Sequence, residues 1–355
     1  MPRPFVSVLV DTYNHERFIE QAIVSVLAQD LPAGDREIVV VDDGSTDGTP
    51  EIVRKFAPQV RHLRKQNGGQ ASAFNAGIPE CRGDVIAFLD GDDWWAPPKL
   101  TAVVETFSSN PAIGLVGHGI IEVLQDESER PHLLREVSRF RLDSLPAAHA
   151  FRMRKSFLGT SRMAYRSELL RRIGTVPESL TIQADEFLFT VAGLFSEVVI
   201  RREPLTYYRL HDGNAFQVAS GEKKALRRKY LVLEALAREL QQRFRREGAA
   251  ADITDAVVGS VRVEADLIRL EVESGFPWET ISAEWRSYRI MHEDASPLRR
   301  ALKGASLLPA AVLPARFYFH LRRRIAAHPL YRSARQRWMP FSRHGHLEQH
   351  SSEHS

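Results

Sequence analysis

The chain has 355 residues, 48 Lys and Arg against 45 Asp and Glu, and a formal net charge of +3. That length buries a full core and leaves chain for a second, smaller unit, while a single cysteine, Cys81, excludes a disulfide framework and a cysteine-based zinc site and fits a reducing compartment. Met1 to Pro4 show no secretion-signal pattern. The longest apolar stretch, Ala305 to Ala315, is broken by Pro309 and Pro314 and falls short of the roughly 18 residues of a membrane span, so a cytoplasmic location is expected.

Over the first hundred residues short apolar runs alternate with helical patterns, the signature of a mostly parallel sheet with helices on its faces. The spacing predicts strands over Val6 to Val10, Glu37 to Val41, near Val60 to Leu63 and over Asp84 to Leu89. It predicts helices over Phe18 to Ala28, with Ile19, Ala22, Ile23, Val26 and Leu27 inward, over Thr49 to Phe56 and over Ala71 to Ile78. The first strand-to-helix turn, Asp11 to Phe18, lacks glycine, which argues against a Gly-x-Gly-x-x-Gly dinucleotide site; no P-loop pattern is present either. Ligands of open α/β sheets gather at the carboxyl ends of the strands, where Asp11, Asp42, Asp43 and Asp90 to Asp93 fall. Asp42 and Asp43 open a glycine-containing turn, Gly44 to Gly48, that leads into a helix capped by Asp47 or Thr49. Carboxylates there either accept from a base and a ribose or simply build the turn.

The run Asp90-Gly91-Asp92-Asp93 places three carboxylates directly behind a buried strand. Like charges this close push one another's pKa upward unless a cation neutralises them. Mg²⁺ or Mn²⁺ is held by one or two carboxylates with substrate phosphates completing the shell, so the run points to a metal and a phosphorylated ligand; the alternative is a solvated acidic turn. Asn67-Gly68-Gly69-Gln70 reads as a glycine-permitted loop whose amides face a donor, or as a plain turn. Trp94 and Trp95 either stack on a ring or, the favoured reading, anchor the loop. His118 to Ser161 is irregular and is the expected place of acceptor choice.

Beyond residue 216 the chain is helical and highly charged. One stripe is Leu233, Leu236, Leu240 and Phe244; a second is Val257, Val261, Ala265, Ile268 and Val272. Ala301 to Leu347 contains nine Lys and Arg and no Asp or Glu, with Phe317, Tyr318, Phe319, Tyr331 and Trp338 interspersed. Such a mixture suits an anionic lipid surface, or packs on the body as a basic helix; nucleic acid is disfavoured because no groove-reading or RNA-binding motif accompanies the charge. The expected division is therefore 1–216, a helical region 217–300, and a basic amphipathic tail 301–355 ending in a polar segment with His344, His346, His350 and His354.

The ordered motifs Val6 to Asn14, Val41 to Asp47, Asn67 to Ile78, Phe88 to Asp93, Ile173-Gly174, Ala184 to Glu186 and Tyr208 to Asn214 resemble the family 2 glycosyltransferases over roughly residues 4 to 216. The resemblance implies a GT-A fold, an inverting mechanism, a nucleotide-sugar donor, and a glycan or lipid-linked acceptor in polysaccharide or cell-envelope synthesis. It implies that Thr12, Tyr13, Asp42 and Asp43 line the nucleotide pocket, that Asp90 and Asp92 hold metal and diphosphate, and that Asp185 is the base. Asn14, Gly69, Gln70, Asn75 and Gly91 complete the expected donor site. Arg209 and His211 are candidates for a lid over the diphosphate, with His211 a further metal ligand. Three positions depart from the family pattern: Asp11, Phe74, and Ala184 in place of an acid before Asp185. The last leaves Glu186 as a rival base, and Asp185 and Glu186 could also do no more than cap a helix. A sugar-nucleotidyltransferase would show a glycine-rich N-terminal loop and a catalytic basic residue, both missing here. An inactive glycan-binding scaffold has no need of both metal and base.

Overall fold

The computed structural model describes residues 3–211, 223–273, 275–291 and 295–327. β1 (Val6–Thr12), β2 (Arg36–Asp42), β3 (Val60–Arg64) and β4 (Val85–Asp90) form a parallel half-sheet in the order β3-β2-β1-β4. α1 (Ile19–Leu27), α2 (Thr49–Arg54) and α3 (Gln70–Gly77) make the crossovers. β1, β2 and β4 are buried on both faces, which is why they read as near-continuous apolar runs, whereas the edge strand β3 is half-exposed and carries Arg61, His62 and Arg64. Period-two alternation still sorts their side chains: Val8, Val10, Val40 and Leu89 pack with α1, while Leu9, Val39, Val41 and Phe88 pack with α3.

The second half of the sheet holds β5 (Trp94–Trp95), β6 (Ile113–Val123), β7 (Glu129–His132), β8 (Ser138–Phe140), β9 (Ala164–Arg166) and β10 (Glu197–Arg209). The path continues from β4 through antiparallel β9 to β6, β10 and β5, with β7 on β6 and β8 on β10. β6 and β10 are parallel. The sheet is thus mixed, with its long registers parallel. α4 (Lys99–Ser109), α5 (Leu145–Arg154), α6 (Ser167–Ile173) and α7 (Ala184–Phe195) cover it.

Two details of the strand ends bear on function. β1, β2 and β4 run on through Thr12, Asp42 and Asp90, so the backbone of the acidic residues belongs to the ladder and the strands do not stop before them. Register then sets Asp11 beside both Val41 and Asp90, and Thr12 beside Asp42, which levels the three strand ends.

α8 (Lys223–Arg246) and α9 (Ala251–Glu273) present Leu233, Leu236, Leu240 and Phe244, and Val257, Val261 and Ala265, to the same apolar cluster that lies under α3 and α7. The helices after the sheet therefore share its core; the expected boundary at 216 lies outside the described residues. α10 (Pro277–Met291), α11 (Pro297–Ser306), α12 (Leu308–Val312) and α13 (Ala315–Ala327) close around a small separate cluster of Ala283, Leu307, Ala310, Ala315, Tyr318 and Phe319 with Leu270 of α9. No helix among the described residues is long and apolar enough to cross a membrane. The polar segment with the four histidines lies outside the described residues.

Candidate active site

The turns after β1 and β2 are knitted together. Asn14, at φ 55°, donates its amide to Ser45 Oγ (2.9 Å) and accepts from the Thr46 amide (2.8 Å), while the His15 amide donates to Thr49 Oγ1 (2.9 Å). Asp42 is fully buried and takes the Ser45 amide at 2.7 Å. Asp43 gathers the Gly68 and Gly69 amides (3.0 and 2.7 Å) and Lys65 Nζ (2.7 Å). Gly69 sits at φ +84° with Thr181 where a Cβ would go, so only glycine fits this close approach. Gln70 bridges Thr160 Oγ1 (2.9 Å) and the Ala184 amide (2.9 Å), and Asn75 pairs with both backbone groups of Val176 at 2.8 Å. Asn14, Asp42, Asp43, Gln70 and Asn75, all expected to touch the donor, each hydrogen-bond to the protein's own groups. Tyr13 has an exposed ring beside them, and Thr12 is buried, its hydroxyl 3.2 Å from His15 Nδ1.

At the end of β4, Asp90, Asp92 and Asp93 bring ligand oxygens within 4.8 Å of one another. Gly91 lets this turn approach the first one: a Cβ there would lie 2.6 Å from Thr12 Oγ1 and 2.8 Å from His15 Nδ1. Burial pushes Asp11 and Asp90 well above the ordinary carboxylate range, and repulsion among Asp11, Asp90 and Asp92 adds to it. Burial and the charge of Asp92 push Asp93 up to about 8. Asp92 goes the other way. Burial would raise it too, but the hydrogen bond from His211 Nε2 to Oδ2 (2.9 Å) and the nearby imidazoles of His15 and His211 bring it below its usual value. Arg209 donates its amide to Asp93 Oδ1 (3.0 Å) and its Nε to the Asp92 carbonyl (3.1 Å), with its guanidinium between the Phe18 and Trp94 rings. The end of β10 therefore contacts the acidic turn.

Asp185 lies in the first turn of α7, behind Gln183 in the left-handed region. Burial raises its carboxyl, and the charge of Glu186 adds to this; the Glu186 amide (2.8 Å), Arg162 and the Thr160 amide (3.3 Å) oppose. Glu186 is different: it is buried and held by Lys155 Nζ at 2.5 Å and Gln183 Nε2 at 3.2 Å. The rival base is occupied by an ammonium. The two chemistries are joined by adjacent residues: Thr160 donates to Asp185, and Ser161 Oγ contacts both the amide (3.0 Å) and Oδ2 (3.3 Å) of Asp90.

Residues 7–174 match the family model "Glycosyl transferase family 2". Residues 7–174 therefore carry a domain of that family. An uncharacterized glycosyltransferase of Nostoc sp. is 34% identical over 220 residues, 59% of this chain and 66% of the relative, so the match spans just under two thirds of that relative's length. By structure the chain is similar to Staphylococcus aureus TarS 1-349 in complex with UDP-GlcNAc (TM-score 0.58, 20% identity, covering 90% of this chain and 92% of that one). It is also similar to the mannosyltransferase PcManGT of Pyrobaculum calidifontis in complex with GDP-Man and Mn²⁺ (TM-score 0.55, 20% identity, 95% and 84%). At that identity the likeness establishes the fold, which is GT-A.

Within the family 2 domain, the segment Gly159 to Arg162 was the least legible part of the site. The Ser161 carbonyl accepts from Trp95 Nε1 (2.9 Å), Lys99 Nζ (2.5 Å) and Thr206 Oγ1 (2.7 Å), fixing the hydroxyl on Asp90. Lys99 is fully buried, lies 3.8 Å from the Trp95 ring centre and is pushed well below the ordinary ammonium value by burial. Trp95 is thus an anchor, and Trp94 stacks on Tyr207 at 5.0 Å. The one hint in the sequence was Gly159-Thr160-Ser161 before a short apolar run. His15 and Arg162 also join the site electrostatically although neither was among the expected site residues. The acidic turn suits a hard cation: its oxygens converge, and Asp93 Oδ2 and Asp11 Oδ1 are buried without a hydrogen-bond partner.

Proposed function

We propose that the protein is an inverting glycosyltransferase that moves a sugar from a nucleotide-sugar, a UDP-sugar first among them, to a hydroxyl of a glycan or lipid-linked acceptor in cell-envelope polysaccharide synthesis. It would work at the cytoplasmic face of the membrane, with the basic C-terminal stretch toward anionic lipid. The observation that carries this reading is the joining of two opposed chemistries by neighbouring residues: Ser161 on Asp90 of the acidic turn, Thr160 on Asp185. Departure of a nucleoside diphosphate needs charge neutralisation on one side of the anomeric carbon, and attack by a hydroxyl needs a base on the other. Supporting it further are the family 2 domain and nucleotide-sugars in the structural neighbours.

In this mechanism the Asp185 carboxylate takes the acceptor's hydroxyl proton as the acceptor oxygen bonds to the anomeric carbon and the bond to the diphosphate oxygen breaks. Its raised pKa makes it a stronger base than an exposed aspartate, and the Thr160 contacts aim it. Tyr13 offers a ring to the nucleotide base. Arg209 and His211 cover the phosphates and exclude water. Asp90, Asp92 and Asp93, with His211 beside them, would hold Mg²⁺ or Mn²⁺, which supplies neutralisation of the departing diphosphate.

Titration calorimetry with a panel of nucleotide-sugars, with Mn²⁺ or with chelator, tests this. The expected result is micromolar binding of one donor that needs the ion and is lost in Asp92→Ala. No binding of any donor would overturn the reading.

A further inference from the structure

The last helices expose apolar residues beyond the small core that they share, and on α11 no apolar residue is buried. On α11 the apolar residues Leu298 and Leu302 are four apart and 67% and 56% exposed, while Lys303 on another face reaches inward to Glu284 at 2.7 Å. Glu284 is 1% exposed and also pairs with Arg322 of α13. One buried carboxylate therefore draws a cation of each of two helices toward α10, and apolar residues of both helices remain exposed. α12 also exposes apolar residues, with Leu307 and Ala310 buried and Leu308 and Val312 exposed by 69% and 79%. α13 buries Tyr318 and Phe319 and exposes Phe317, Leu321 and Ile325, spaced four apart. Isolated exposed leucines need no explanation; stripes on three consecutive packed helices do.

What covers this face is indicated by charge. From Ala295 to Leu347 there are eleven Lys and Arg, the nine after Ala301 together with Arg299 and Arg300, and no Asp or Glu. Arg299, Arg300, Arg316 and Arg324 lie exposed among the stripes. Apolar stripes flanked by cations without a single anion complement an anionic lipid headgroup layer, with acyl chains below for Leu, Val, Phe and Ile. The helices are too short to span, so they would lie in the plane of the interface.

We propose that α11–α13 form an in-plane lipid-docking face, in which Leu298, Leu302, Leu308, Val312 and Phe317 enter the bilayer and the arginines meet anionic headgroups. The proposal rests on the reading that the basic stretch meets membrane, and deepens it by naming the inserted residues. It is tested on the full chain by co-sedimentation with phosphatidylcholine vesicles with and without about one third phosphatidylglycerol. The wild type is compared with Leu302→Ser, Val312→Ser and Phe317→Ser, and with Arg299→Gln/Arg300→Gln. All are exposed positions remote from the donor site, and circular dichroism checks folding. The expected result is partition onto the anionic vesicles that falls about tenfold for each apolar substitution and persists in part at high salt. Binding abolished by salt and by the arginine changes but indifferent to the apolar ones would overturn insertion and leave a purely electrostatic membrane contact. No binding to anionic vesicles would overturn both readings. A dimer of the free protein that the apolar substitutions convert to monomer would show that a second copy, not lipid, covers the face.

Discussion

Asp92-Asp93 and Asp185-Glu186 are both neighbouring acids next to the same pocket, and the fold treats them differently. In the second pair the extra charge is matched internally: Glu186 has an ammonium, Lys155, at 2.5 Å, which leaves Asp185 as the member of the pair with a raised pKa. In the first pair the groups that offset the charge are the imidazoles of His211 and His15 together with Arg209 and Arg162. His211 bonds Asp92, and His15 lies 3.9 Å away, itself pushed below its ordinary value chiefly by burial. Lys99, which attracts Asp93, is so buried that its own charge is disfavoured. The Asp185 pair is complete as folded. The acidic turn remains short of positive charge, a shortage that the proposed divalent ion would make good.

The sharpest way to break this comparison is Asp185→Asn. It keeps the size and part of the Thr160 contact and removes the proposed base, so turnover should fall about a thousandfold while donor binding is retained. Retained turnover would move the base elsewhere. Next in size is Asp92→Ala, which should weaken ion-dependent donor binding about a hundredfold, measured by calorimetry with and without chelator, and leave the ion-independent part unchanged.

A smaller effect should appear in the protein without substrate. Asp93 is held at about 8 against an ordinary value of 3.8, so between those values the folded state binds a proton that the unfolded state has lost. Its contribution to stability is complete below 3.8 and disappears as pH rises through 8; Asp11 and Asp90 act in the same direction. Asp92, lowered, acts oppositely and only in acid. The chelated protein should therefore melt at progressively lower temperature from about pH 5 to pH 8, and Mn²⁺ should stabilise it more at the upper end, where protons no longer compete. Asp93→Asn should flatten the decline. An equal Mn²⁺ shift at both ends would mean that the ion binds elsewhere.

Much of this site could be read from sequence because parallel strands advertise themselves. β1, β2 and β4 are apolar runs ending in acids, and the position of strand ends in such sheets follows from topology alone. The role of each acid was less legible. Asp42 and Asp43 look like Asp90 and Asp92 in sequence, yet they are held by the backbone amides of Ser45, Gly68 and Gly69 and by Lys65, which only the folded turns bring near. β9 and the Ser161 node were hidden for a related reason. A three-residue strand has no usable periodicity, and a carbonyl that organises Trp95, Lys99 and Thr206 leaves no mark on the residue that owns it. The exposed apolar residues of the last helices were half visible: composition showed the basic bias, but Leu307 and Leu308 are indistinguishable in sequence and lie on opposite sides of the helix surface.

The smallest expected effect on rate is the one that best separates the two acids of α7. If Glu186 serves only as the counter-ion of Lys155, Glu186→Gln should change turnover by less than about threefold, because the amide still accepts one hydrogen bond from Lys155 and Asp185 keeps its own contacts with Thr160. The cost should appear in stability instead, roughly 2 kcal/mol in denaturant unfolding, since an ammonium that is about three-quarters covered loses its charge partner. The pH profile gives the second half of the argument. Removing the neighbouring negative charge relieves one of the influences that raise Asp185, so the acidic limb of turnover should shift to lower pH while the plateau stays in place. A plateau lowered as deeply as in Asp185→Asn, with the limb unmoved, would instead make Glu186 the group that takes the proton.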